Sequence, residues 1–146
     1  MKKDNIKCSD NWELCPKELQ RMVNSKILIV EDDFIVAIDL KIHLENMGYN
    51  VLDITDNGTD ALNKTRETNP DLILMDINLK GDIDGIDTAR KINKLYHIPV
   101  IYLTGYNDKN TIKRANVTEP FGYIVKPFED KDIQLLMGNG SLISYK

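Results

Sequence analysis

From Lys26 onward, short continuous apolar runs alternate with longer stretches in which apolar residues recur every three or four positions. Lys26-Ile27-Leu28-Ile29-Val30 is rich in β-branched residues, the composition of a strand covered on both faces. Phe34 to Met47 has helical spacing and meets Gly48, a residue suited to the left-handed turn that stops a helix. Its apolar positions form two arcs, Phe34, Ile35, Ile38 and Ile42 on one and Val36, Ala37, Leu40, Leu44 and Met47 on the other. An apolar surface that broad predicts a helix wedged against both a sheet and a neighbouring helix. Val51 to Ile54 reads as a second strand, and Asn57-Gly58 turns the chain into a helix over 59–68. Asn69-Pro70 closes that helix, because a residue before proline is pushed out of the α region. Three further repeats follow: a strand over 71–75 ending at Asp76, a polar loop over 78–84 and a helix over 85–96; a strand over 99–103 and a helix over 108–116; a strand over 121–125 and a helix over 129–137. The helix over 108–116 has only Ile112 and Ala115 as apolar anchors, which predicts one of the least stable elements.

Five strands alternating with five helices predict an α/β fold, a parallel sheet with helices on both faces, because parallel strands need helical crossovers. Right-handed crossovers restrict it to a doubly wound arrangement. Residues 26–137 read as the folded unit. Residues 1–25 read as a polar N-terminal arm with isolated apolar side chains (Ile6, Trp12, Leu14) and a short helix opening at Pro16. Residues 138–146, opened by Gly138-Asn139-Gly140, read as a C-terminal tail.

The chain has 146 residues, enough for one domain that buries about 68–70% of its unfolded surface. Its 42% hydrophobic and 29% charged residues describe a soluble globular protein. A net charge of −4 argues against a dedicated nucleic-acid binder, so no direct nucleic-acid contact is expected. No apolar run approaches the ~18 residues that span a membrane. Met1-Lys2-Lys3 leads into Asp4 rather than an apolar signal core, so a cytoplasmic location and no membrane partner are expected. Cys8 and Cys15 lack the spacing of a zinc site, and only His43 and His97 could assist them. Free thiols are the expectation, a disulfide the alternative.

Open sheets of this kind bind ligands beyond the carboxyl ends of their strands. The first strand ends in Glu31-Asp32-Asp33, the third in Asp76, the fourth in Thr104 and the fifth in Lys126-Pro127. Carboxylates sharing a crevice need a cation or a proton to coexist. A hard divalent ion that keeps some waters, Mg²⁺, suits so few carboxylates. With a lysine and a hydroxyl added, such a site can hold a transferable phosphoryl group by positioning and charge neutralisation. Each residue alone has a plainer use: Asp32 or Asp33 as a helix cap, Asp76 in a solvated loop, Thr104 as a cap, Lys126 on the surface. Their coincidence at four strand ends favours one shared site.

These residues resemble the receiver domain of two-component response regulators. The matching stretches are Ile27 through Asp33, Asp71 through Asp76, Asp84-Gly85-Ile86, Tyr102-Leu103-Thr104-Gly105 and Gly122 through Phe128, in the family's order and close to its spacing. The resemblance implies a flavodoxin-like (βα)5 receiver fold with strand order 2-1-3-4-5. It implies that Asp76 is the phosphoacceptor for a sensor histidine kinase or phosphotransfer protein. Asp32 and Asp76 would ligate Mg²⁺, with Glu31 helping through water and the backbone carbonyl of Asn78 completing the set. Asp33 is better spent as the helix cap. Thr104 would hydrogen-bond a phosphoryl oxygen and Lys126 would pair with its charge, aimed inward by a cis Lys126–Pro127 bond. Tyr123 stands at the position of the switching aromatic that works with Thr104; an ordinary strand aromatic is the alternative.

Two departures stand out. Asp76 and Gly85 are one position further apart than in the commonest pattern, and Leu79-Lys80-Gly81-Asp82 replaces the familiar Met-Pro. The last helix is short, which counts against dimerisation through that face, although a homodimer stays a candidate assembly. The expected function is a non-enzymatic, stand-alone signalling module acting on a separate output protein. The alternatives are a pseudo-receiver that binds a partner without phosphorylation, and an aspartyl-phosphate phosphatase. The last is disfavoured because Asn78 stands where such enzymes carry a second aspartate.

Overall fold

A computed structural model describes residues 25–105 and 109–137. The N-terminal arm with Cys8, Cys15 and the helix expected at Pro16 lies outside the described residues but for Ser25, as do the tail and Asp108, the expected first residue of the fourth helix. The elements are β1 (Lys26–Val30), α1 (Phe34–Asn46), β2 (Asn50–Thr55), α2 (Gly58–Thr68), β3 (Leu72–Asp76), α3 (Gly85–Tyr96), β4 (Val100–Thr104), α4 (Lys109–Val117), β5 (Gly122–Val125) and α5 (Asp130–Met137). All strands pair in parallel, in the order β2-β1-β3-β4-β5. This is the expected doubly wound sheet, with order reversing between β1 and β3.

The alternation of side chains along each strand splits the core in two. Ile27, Ile29, Leu72, Leu74, Ile101, Leu103 and Ile124 meet α1 and α5 on one face. Leu28, Val30, Ile73, Met75 and Tyr102 meet α2, α3 and Ala115 of α4 on the other. β1, β3 and β4 have no alternating polar positions because both faces are covered.

Local chemistry sets the helix ends. Asp33 caps α1 by accepting from Ile35 N (3.0 Å) and Val36 N (3.3 Å). Asn57 caps α2 through Asp60 N, and Asp84 caps α3 through Asp87 N. Gly48, with φ of +96°, follows the α1 cap as expected for a left-handed stop.

One expectation needs correction. Only one arc of α1 is wedged: Ala37, Leu40 and Leu44 are buried, while Phe34, Ile35 and Ile42 are 70%, 79% and 52% exposed. The neighbouring helix α5 docks beside the buried arc. There Tyr49 donates to the Met137 carbonyl (2.7 Å) and the His43 ring lies against Asp130 and Asp39. The lengthened loop after β3 leaves the following helix, α3, beginning at Gly85 as expected; Ile77 and Leu79 tuck into the core and Gly81 turns at φ +120°.

Gly85 packs directly on β3: a Cβ there would fall 2.0 Å from the Asp76 carbonyl oxygen. Gly85→Ala is therefore expected to lower unfolding stability by about 2–3 kcal/mol, since backbone and not a flexible side chain must yield. Gly105→Ala, whose Cβ meets nothing within 4 Å, should shift stability by less than about 0.5 kcal/mol. Urea unfolding of both variants checks this.

Candidate functional site

The parallel sheet brings the carboxyl ends of β1, β3, β4 and β5 to one edge, so residues scattered from position 31 to 126 become neighbours. Carboxylate oxygens of Glu31, Asp32 and Asp76 lie within 4.8 Å of one another. Glu31 is 1% exposed and Asp76 5%. Lys126 reaches over both, its Nζ 2.7 Å from Glu31 Oε1 and 3.5 Å from Asp76 Oδ1. Glu31 Oε2 accepts from the Asp33 N–H (3.1 Å), and Asp76 Oδ1 accepts from the Asn78 N–H (3.1 Å). Asp32 Oδ2 is buried without a hydrogen-bond partner. The Lys126–Pro127 peptide bond is cis.

The electrostatics follow from crowding. Burial pushes the Glu31 carboxyl up to about 7, Lys126 opposes the rise, and the neighbouring Asp76 adds to it. Burial also disfavours the Lys126 charge, but Glu31 and Asp76 overcome it and hold the ammonium above its ordinary value.

Thr104 is buried at the end of β4, next to the Leu103 that pairs with Asp76, and its hydroxyl donates to the Gly105 carbonyl (3.1 Å). Its backbone carbonyl accepts from Lys126 N (2.7 Å), joining the fourth and fifth strand ends. Tyr123 pairs with Tyr102 across β4 and β5, and their rings stack with centroids 5.9 Å apart. The Tyr123 hydroxyl donates to Asn116 of α4. The Tyr102 hydroxyl meets Thr118 Oγ1 at 2.8 Å, just past the end of α4. Glu31, Asp32, Asp76 and Lys126 thus form one cluster, Asn78 touches it through its backbone, Thr104 ends the strand beside it, and Tyr123 stands apart on the α4 side.

Sequence reasoning missed three features. Thr55, at the end of β2, is buried with its hydroxyl unpartnered and accepts the Glu31 N–H through its carbonyl (2.9 Å). The close approach of Gly85 to Asp76 had a signal, a glycine at a helix start, but the contact is between elements. Arg114 of α4 donates to Asp84, and nothing in the spacing of thirty residues announces it.

The model of the response regulator receiver domain family matches residues 27–137. The chain belongs to this family. Among curated relatives, the phyllosphere-induced regulator PhyR of Methylorubrum extorquens is 30% identical over 135 residues, covering 92% of this chain and 50% of its own length. The transcriptional regulatory protein PdtaR of Mycobacterium tuberculosis is 31% identical over 111 residues, covering 76% and 54%. The chain thus spans about half the length of these relatives. Among solved structures, the signal receiver domain of a modulated diguanylate cyclase from Desulfovibrio desulfuricans G20 superposes with a TM-score of 0.72 at 36% identity, covering 81% of this chain and 97% of that one. The flavodoxin-like (βα)5 fold with order 2-1-3-4-5 is that of the family's receiver domains.

A receiver domain with Glu31 buried among like charges has a characteristic pH response when metal-free. The carboxyl is raised from 4.5 to about 7 in the folded state, so its contribution to stability is full below pH 4.5 and is lost as pH rises through 7. Unfolding free energy in EDTA is expected to fall over that window, by up to about 3 kcal/mol from this group. Glu31→Gln should flatten the slope, which urea unfolding at a series of pH values measures.

Proposed function

We propose that Asp76 accepts a phosphoryl group from a histidine of a sensor kinase or phosphotransfer protein, in a Mg²⁺-dependent reaction, and that the phosphorylated domain signals to a separate output protein. The convergence of Glu31, Asp32 and Asp76 beneath Lys126 carries this reading. An Asp76 oxygen attacks phosphorus while the bond to the donor imidazole nitrogen breaks, its electron pair leaving with the imidazole, and an acyl phosphate forms. The chain acts here as an acceptor that assists its own phosphorylation and slow hydrolysis, not as a turnover enzyme.

The donor set fits Mg²⁺: the ligands are hard oxygens, and the buried Asp32 Oδ2 has no other partner. Asp32, Asp76 and the Asn78 carbonyl would hold the ion directly. Glu31, whose two oxygens are engaged by Lys126 and the Asp33 N–H, would act through water. When bound, the ion neutralises negative charge between the carboxylates and the phosphoryl group. Lys126 would swing its ammonium from Glu31 to the phosphoryl oxygens. Thr104 would turn its hydroxyl from Gly105 toward the same group, and Tyr123 would follow into the space it leaves.

Phe34 and Ile35 support docking of a protein donor, since they expose an apolar surface two and three residues after Asp32. No described helix is long and apolar enough to cross a membrane; a cytoplasmic location completes the proposal.

Incubation with acetyl phosphate and Mg²⁺ is expected to add one phosphoryl group by intact mass, and Asp76→Asn should abolish it. Labelling of that variant at undiminished stoichiometry would place the acceptor elsewhere. In a Mg²⁺ titration, Asp32→Ala is expected to weaken binding by at least about tenfold and Glu31→Ala by less. A reversed order would refute the assignment of direct and water-mediated ligands.

A further inference from the structure

Asp84 is used twice. Its Oδ1 caps α3 by accepting from Asp87 N at 2.8 Å, and its Oδ2 accepts from both Nη1 and Nη2 of Arg114, each at 3.2 Å. Arg114 stands in the last turn of α4, with its Nη2 also 3.7 Å from Asp87 Oδ1, an oxygen shared with Arg90 at 3.0 Å. Asp84 is bonded to Gly85, the residue whose Cα rests against the Asp76 carbonyl. The path from the acceptor to α4 is thus one close backbone contact and one guanidinium fork.

α4 has little else to hold it. Ala115 is its only fully buried side chain among the described residues, and Ile112 is half-buried. Its tie through Asn116 runs to Tyr123, and the Thr118 just beyond it runs to Tyr102. Both lead to the strands that carry Thr104 and Tyr123, whereas the Arg114 fork leads to the acceptor loop and α3.

We infer that Arg114 is a positioning residue: its fork on Asp84 holds α4 in the resting arrangement and sets how readily the acceptor site takes up a phosphoryl group. The inference rests on the phosphoacceptor reading above. If Thr104 turns toward a phosphorylated Asp76, β4 and β5 draw on α4 through the Tyr102–Thr118 and Tyr123–Asn116 hydrogen bonds, and a guanidinium fixed on Asp84 resists that movement. By linkage, an interaction made only in the resting state lowers affinity for whatever stabilises the other state. Planar two-nitrogen donation makes arginine better suited to this than lysine.

Beryllofluoride, a phosphoryl mimic, tests it by calorimetric titration of the full chain with Mg²⁺ present. Arg114→Ala is expected to bind about two- to fivefold more tightly than the unaltered protein, the range an exposed ion pair supplies. Arg114→Lys should fall between. Asp84→Asn keeps an oxygen for the α3 cap and should reproduce the gain, and the double variant should add nothing, because both changes remove one contact. Unchanged or weaker binding by Arg114→Ala, or fully additive effects in the double variant, would overturn the inference. Absence of binding by the unaltered protein would instead overturn the phosphoacceptor reading.

Discussion

Negative charge crowded out of water is the constraint on which this molecule turns. Glu31, Asp32 and Asp76 stand at the ends of two adjacent central strands, and Lys126, just past the edge strand β5, is ion-paired to the first and third. In solvent such carboxylates would separate; here β1 and β3 are paired along their length and covered on both faces, so they cannot. Burial first, and the neighbouring Asp76 after it, raise the Glu31 carboxyl. Such an acidic group is able to hold a cation.

The surroundings divide the labour unevenly. The α1 and α5 side is locked by Leu40, Leu44, Ile133 and Met137 in one cluster and by the Tyr49 and His43 contacts between the helices. The α4 side is held chiefly by side-chain hydrogen bonds around one buried alanine. Hydrogen bonds of this kind switch partners at modest cost, whereas a packed apolar interface does not. Those polar contacts of α4 connect it to β4, β5 and the loop after β3 together.

Much of this was legible in the residues. The continuous apolar runs of β1, β3 and β4 announced a sheet buried on both faces, and the cap Asp33 and the stop at Gly48 marked helix ends, because these depend on neighbours within a few positions. Element bounds moved by one residue or so where a fraying end or a cap separates periodicity from hydrogen bonding. The acidic and basic strand ends were legible for the same reason: once strands are parallel and doubly wound, their carboxyl ends must share an edge. The two arcs of α1 were not resolved. Hydrophobicity says that a face can be buried, not that a neighbour covers it, and Phe34, Ile35 and Ile42 stay exposed among the described residues.

What the sequence determined by itself was the order of elements, their two-sided burial and the identity of the residues gathered at one edge, all consequences of local spacing and parallel topology. What only the tertiary structure decided was which groups actually touch. Lys126 lies nearer Glu31 than Asp76, Gly85 abuts the Asp76 carbonyl, and Arg114 reaches back thirty residues to Asp84. Such contacts depend on the relative placement of elements far apart in the chain, which side-chain packing fixes to within an ångström and no local pattern encodes.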